Sequence, residues 1–198
     1  MNLPNKISLA RICMIPFFVA VFFIGDIPFR FGIAAIIFVL AACTDFIDGH
    51  IARSRGLVTN LGKFLDPIAD KVLVSTAMLL LLTIFEPLFV KFGDAANGVY
   101  VATAVCVCVI MARELIISAF RQIAATNGVV MAADKLGKIK TIFQDTAIAV
   151  LLFSADLFGT FGVVAAWIGI ALFAIATVLT VWSGISYVWK NRQVLQNR

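Results

Sequence analysis

Apolar residues run along this chain in long blocks, broken only by short polar stretches. A membrane-spanning helix needs about 20 mostly apolar residues. Six blocks meet that demand: Ser8–Gly25, Phe31–Ala52, Leu65–Phe85, Gly98–Ala119, Ile139–Leu157 and Phe161–Trp189. The pattern predicts six helices joined by short connections, with no internal repeat and no interdomain linker. The last block is long enough to tilt or to extend into water at its end. The first resembles a signal anchor, but it lacks a small-x-small cleavage site and a charged start beyond Lys6 and Arg11. It is therefore read as a mature segment.

Composition sharpens this into a class. Of 198 residues, 62% are hydrophobic and 14% charged, with a mean hydropathy of +1.05. A soluble domain is nearer half apolar and a quarter charged. The expectation is an all-α polytopic membrane protein: one transmembrane domain over residues 1–198, with no room for a soluble second domain. The net charge of +5 then reports topology and anionic head groups before nucleic acid. Lys6, Arg11, Arg53, Arg55, Lys63, Arg121, Lys135, Lys138, Lys140, Lys190, Arg192 and Arg198 fall on one side of the predicted spans. Arg30 and Lys91 fall on the other, beside Asp26, Glu86, Asp94 and Asp156. The positive-inside rule places both termini in the cytoplasm. Trp182, Tyr187 and Trp189 fit an interfacial aromatic belt. Cys13, Cys43, Cys106 and Cys108 sit in apolar runs and read as small packing residues. His50 is the sole histidine and reads as a surface residue, which argues against histidine-based chemistry.

Charged residues inside spanning segments are costly and usually functional. Here they gather. Asp45 and Asp48 lie at the cytoplasmic end of the second helix, and their i, i+3 spacing puts them on one face. Asp66 and Asp70, at i, i+4, share a face at the start of the third. One helix runs inward and the next runs back, so the four carboxylates reach similar depth. They would repel one another unless cations lay between them, and hard divalent cations with oxygen ligands, Mg²⁺ or Mn²⁺, suit them. Gly49, Ala52 and Gly62 leave room for a ligand on that face. Any one of these acids alone is equally a helix cap or a partner of Arg53, Arg55, Lys63 or Lys71; four at this spacing point to a site. Pro67 is tolerable because it is expected in the first turn of its helix. If Asp66 is instead the N-cap, its side chain aligns less well with Asp70.

The string Asp45-Phe-Ile-Asp48-Gly49-His-Ile-Ala52-Arg53, eight residues, then Gly62-Lys-Phe-Leu-Asp66-Pro-Ile-Ala-Asp70 resembles the signature of the CDP-alcohol phosphotransferases. The resemblance implies a six-helix fold, often a homodimer. It implies that Asp45, Asp48 and Asp66 bind two divalent metal ions and the CDP pyrophosphate. Asp70 would be the catalytic base and a further metal ligand, and Gly49, Ala52, Arg53 and Gly62 would line the CDP pocket. The strings Asn2-Leu-Pro4-Asn5-Lys-Ile-Ser8-Leu-Ala-Arg11, Ala112-Arg113-Glu114-Leu-Ile-Ile-Ser118-Ala-Phe-Arg121 and Leu136-Gly137-Lys138-Ile-Lys140-Thr141 are similar to the bacterial phosphatidylglycerophosphate synthase branch. That likeness implies a multi-pass protein of the bacterial cell (inner) membrane with its active site at the cytoplasmic face. Its substrates would be CDP-diacylglycerol and sn-glycerol 3-phosphate.

An acceptor carrying a phosphate needs fixed cations. Arg113, Lys135 and Lys138 are the candidates. For the two lysines the plainer reading is topology and head-group contact, and Lys140 leans further that way. The alternative for Arg113 is a buried ion pair with Asp145 at similar depth. Glu114, adjacent to Arg113, cannot face it and is expected to pair elsewhere or to orient a phosphate-binding cation. The competing enzymes share the aspartates and differ in acceptor: cardiolipin synthase, phosphatidylserine synthase or an inositol-phosphate enzyme. An ion-coupled carrier would place its acids near the midplane rather than at one interface, and a scaffold has no use for four convergent carboxylates.

Overall fold

The computed structural model describes the backbone of residues 3–54, 60–126 and 135–192, and the side chains of 8–44, 68–124 and 136–192. The described chain is helical, without strands. Helices α1 (Leu3–Phe23), α2 (Arg30–Ser54) and α3 (Asn60–Leu81) are followed by a short α4 (Phe85–Leu88), which runs into a 3₁₀ segment, Phe89–Ala95. Three long helices follow: α5 (Ala96–Thr126), α6 (Lys135–Asp156) and α7 (Gly159–Lys190). The six long helices coincide with the six apolar blocks. Several helices begin or end beyond their blocks, as where α3 starts at Asn60 rather than Leu65 and α5 runs on to Thr126 rather than Ala119, while α1 and α3 stop short, at Phe23 and Leu81 rather than Gly25 and Phe85. Hydropathy marks where lipid begins, whereas backbone hydrogen bonding continues into the polar interface. The earlier start removes two expectations at once. Pro67 lies inside α3 rather than in its first turn, and Asp66 is a helical residue rather than an N-cap. The short α4 and its 3₁₀ extension were not anticipated. They fold back where the periodic pattern lapses, with Gly93 at φ 58° in the turn.

This is a membrane protein with its apolar residues turned outward. Among the described residues, the helical runs Phe85–Ala124 and Gly159–Lys190 are long and apolar enough to cross a bilayer, and Ser8–Phe23 and Arg30–Thr44 are shorter apolar stretches. Phe17, Leu115, Ile116, Val178, Trp182, Ile185 and Trp189 are exposed, far more apolar surface than a soluble monomer leaves uncovered. The inward face of α7 reads Gly162, Ala166, Gly169, Phe173, Ala176, Thr180, Ser183, Gly184, Tyr187. Small residues at helical spacing let neighbouring backbones approach where no hydrophobic drive exists between helices. At Gly169 a Cβ would lie 2.6 Å from Leu151 Cδ2, so α6 and α7 meet at closer range than any larger residue permits.

Helix α6 packs on α7 and α2, α1 on α2 and α3, and α5 on α7. Phe18, Phe22, Phe31, Phe38, Met78 and Ile148 are central to the core. At one end of the bundle Phe89, Phe92, Tyr100 and Trp167 interlock edge to face. There Asp156 Oδ2 accepts the Gly32 amide at 2.6 Å, and the Lys91 ammonium donates to the Leu157 carbonyl. The first satisfies an orphan donor at the start of α2, the second an orphan acceptor just past the end of α6. Lys140 lies 16 residues earlier on α6, about 24 Å away at the helical rise of 1.5 Å per residue. That opposite end holds the polar site.

Candidate active site

Asp45, Asp48, Gly49, His50, Ala52 and Arg53 belong to the last turns of α2, and Gly62 and Asp66 to the first turns of α3. Their side chains lie outside the described residues, as does that of Lys135, which opens α6. Asp70 follows one turn into the described part of α3 and is half-buried. The acid pairs thus sit at the C-terminal end of one helix and the N-terminal end of the next, and α2 and α3 are in contact.

The described residues around them form a charged layer drawn from four helices. Lys140 of α6, 5% exposed, donates to Glu114 Oε1 of α5 at 2.6 Å. Arg113 Nη1 reaches the same oxygen at 3.0 Å, and its Nη2 donates to Ser183 Oγ of α7 at 3.0 Å. The Lys71 ammonium of α3, one residue beyond Asp70, donates to Ser118 Oγ of α5. Arg121 Nε donates to Tyr187 Oη at 3.1 Å, with the guanidinium 5.2 Å from the ring centroid. Side chains from α3, α5, α6 and α7 are tied together over about two turns of α5. An anion entering this layer meets several fixed donors in a setting where water is scarce and charge-assisted bonds are strong.

Three expectations change here. Adjacent helical residues diverge, yet Arg113 does pair with Glu114. Its long stem lies along α7, and the guanidinium curls back to the carboxylate. Among the described residues the ion-pair partner of Arg113 is therefore Glu114 rather than Asp145. Lys140 is a buried network member rather than a loop cation, whereas Lys138 is exposed, as topology requires. Tyr187 leaves the aromatic belt: it is 5% exposed, against Phe120 and Arg121, while Trp182 and Trp189 remain on the surface.

Arg11, which reads from sequence as a topology marker, is 1% exposed. Its Nε donates to Ala41 O and Thr44 Oγ1, both at 3.2 Å, next to the turn that carries Asp45. Ser183, Gly184 and Arg11 went unnoticed as site residues. The signal for the α7 pair was available, because both continue that helix's small-residue stripe into its charged end.

A helical membrane protein with paired acids and a cationic layer at one bundle end is the class that these features define. The chain matches CDP-alcohol phosphatidyltransferase over residues 1–182, and it belongs to that family. It is 40% identical to the CDP-diacylglycerol–glycerol-3-phosphate 3-phosphatidyltransferase of Bacillus subtilis (strain 168), over 98% of this chain and 97% of the relative. Proteins of the same name from Salmonella typhimurium (strain LT2) and Escherichia coli (strain K12) are 38% and 39% identical, each over 94% of this chain and 93% of the relative.

Proposed function

We propose that this protein transfers the phosphatidyl group of CDP-diacylglycerol to the primary hydroxyl of sn-glycerol 3-phosphate, giving phosphatidylglycerophosphate and CMP. The observation that carries the choice of acceptor is the cationic layer. Lys71, Arg113, Arg121 and Lys140 converge from three helices at the end of the bundle that holds Asp70. A phosphorylated acceptor requires such a layer, and a serine acceptor does not. The end-to-end kinship with relatives named for this reaction supports the same reading.

In this mechanism Arg113 binds the acceptor phosphate, and Lys135 and Lys138 attract it at the mouth. Glu114 and Lys140 brace Arg113. Asp70 takes the proton of the attacking hydroxyl as its oxygen bonds to the phosphatidyl phosphorus and the bond to CMP breaks. Gly49, Ala52, Arg53 and Gly62 line the CDP pocket. The all-oxygen donor set of Asp45, Asp48, Asp66 and Asp70 suits two Mg²⁺ or Mn²⁺ ions. When bound, these supply charge neutralisation for the pyrophosphate and for departing CMP. The whole chain forms one catalytic domain of six spans, often paired as a homodimer. It sits in the bacterial inner membrane with both termini and the site facing the cytoplasm. The lipid tails stay in the bilayer there while the acceptor and CMP exchange with water.

Purified protein given CDP-diacylglycerol and a panel of alcohols, with CMP release followed, is the deciding assay. Glycerol 3-phosphate should be preferred over serine, inositol phosphate and phosphatidylglycerol, and preference for any of these sinks the acceptor assignment. Single cysteines introduced near Lys91 and Lys138 should label from opposite sides of the membrane.

A further inference from the structure

We propose that Ser183 and Gly184 of α7 form a seat that fixes the Arg113 guanidinium for the acceptor phosphate, so that the C-terminal helix sets acceptor recognition. The proposal rests on the acceptor reading of Arg113 given above.

Four contacts define the seat. A Cβ built on Gly184 would lie 3.0 Å from Arg113 Cγ, 3.2 Å from Nε and 3.7 Å from Cδ. The stem of the arginine therefore lies flat on α7 where there is no side chain. One residue earlier, Ser183 Oγ accepts from Nη2 at 3.0 Å while donating to the Thr180 carbonyl at 3.1 Å. That back-bond fixes the hydroxyl's proton and turns its lone pairs toward the guanidinium. Ser183 is 1% exposed, so the bond is shielded from water. On the far side Glu114 Oε1 takes Nη1, and Lys140 holds Glu114 in turn. The guanidinium is gripped at both ends by partners that are themselves anchored.

Arg113 Nε is buried without a hydrogen-bond partner among the described residues. A buried donor left unmade costs stability. A fold selecting for stability alone would place an acceptor there, and such local violations concentrate at functional sites. Shape, through Gly184, fixes the arginine where hydrogen bonding does not. An arginine held in advance surrenders little side-chain entropy when it meets an anion.

Steady-state kinetics and thermal unfolding of the full-length protein test this. Ser183→Ala should raise the KM for glycerol 3-phosphate about five- to tenfold, leave the KM for CDP-diacylglycerol unchanged and leave Tm nearly unchanged. Ser183→Thr, which keeps the hydroxyl, should recover most of the loss. Gly184→Ala should also raise the acceptor KM, although alanine favours a helix interior over glycine. In an Arg113→Lys background, where the planar fork is gone, Gly184→Ala and Ser183→Ala should add nothing. If Arg113→Lys raises the acceptor KM while both α7 variants behave as wild type, the seat is wrong and the acceptor reading stands. An unchanged acceptor KM in folded Arg113→Lys and Arg113→Ala proteins removes the acceptor reading itself. Lowered Tm with both KM values unmoved in the α7 variants makes the contact merely structural and overturns the proposal.

Discussion

The two ends of this bundle use charge in opposite ways. At the Asp156 end two charged groups serve helix termini: Asp156 accepts an amide at the start of α2, and Lys91 donates to a carbonyl beyond the end of α6. Aromatic side chains fill the space between. At the Lys140 end, among the described residues, Glu114 pairs directly with two cations, while Lys71 and Arg121 donate to hydroxyls. Hydroxyls satisfy geometry without cancelling charge. The first arrangement closes a fold; the second keeps positive potential for an anion. Burial alone does not distinguish them, and the identity of the partner does.

The largest effects expected from breaking this contrast are at the acids. Asp70→Asn should lower kcat by about 10²–10⁴, the usual worth of a positioned general base, with the protein still folded. Asp45→Asn, Asp48→Asn and Asp66→Asn should each remove most activity. Chelator should do the same to the unmodified protein, with Mg²⁺ or Mn²⁺ restoring it. A fully active Asp66→Asn enzyme would falsify the assignment of that carboxylate.

Next in size is Arg113→Ala. Loss of a charge-assisted contact of about 1.5–3 kcal/mol corresponds to a rise of roughly ten- to over a hundredfold in the acceptor KM. The KM for CDP-diacylglycerol should hold. A double apolar replacement of Arg113 and Asp145 should not restore the protein, because the ion-pair partner of Arg113 among the described residues is Glu114. Recovery in that double mutant would reinstate an Arg113–Asp145 pair.

Much of this was legible in the sequence, and the parts that were not have physical reasons. Six apolar blocks gave six long helices, because lipid leaves the backbone few ways to satisfy its own hydrogen bonds. The acid spacing already placed Asp45, Asp48, Asp66 and Asp70 at adjoining helix ends. Hydropathy could not locate the start of α3 at Asn60, since the residues it adds mix Asn60, Gly62 and Lys63 with Leu61 and Phe64 and form no apolar run. It also could not tell a buried lysine from an exposed one two positions away. Lys138 and Lys140 point differently because α6 turns about 100° per residue, so residues two apart diverge by about 200°, and only packing fixes which of them meets Glu114. Spacing rules placed Glu114 away from Arg113; the length of the arginine stem and the missing side chain at Gly184 overrode them.

The far end should respond in stability alone. Asp156→Ala leaves the Gly32 amide without its acceptor and should lower stability by about 1–3 kcal/mol, read as a drop in Tm in detergent. Both KM values should stay within error in the surviving folded fraction. An acceptor KM moved as far as by Arg113→Ala would mean that the two ends are coupled through α2 and α6, and the division of labour between them would fail.

The smallest effect, and the finest test of the contrast, is at Lys138. It is exposed on the first turn of α6 while Lys140 is buried against Glu114. If Lys138 draws the acceptor by field rather than by contact, Lys138→Met should raise the acceptor KM only about two- to fivefold at low salt, as exposed charges contribute under about 1 kcal/mol. That difference should fade as ionic strength approaches about 1 M, where screening falls to about 3 Å. Tm should be unmoved, as for most surface substitutions. Lys140→Met should do the reverse. It strips one cation from Glu114 in a buried setting, so stability falls, and added salt does not hide the loss. Should Lys138→Met outweigh Arg113→Ala in the acceptor KM, with the effect persisting at high salt, Lys138 makes the direct phosphate contact, and the clamp belongs at the start of α6 rather than on the seat formed by α7.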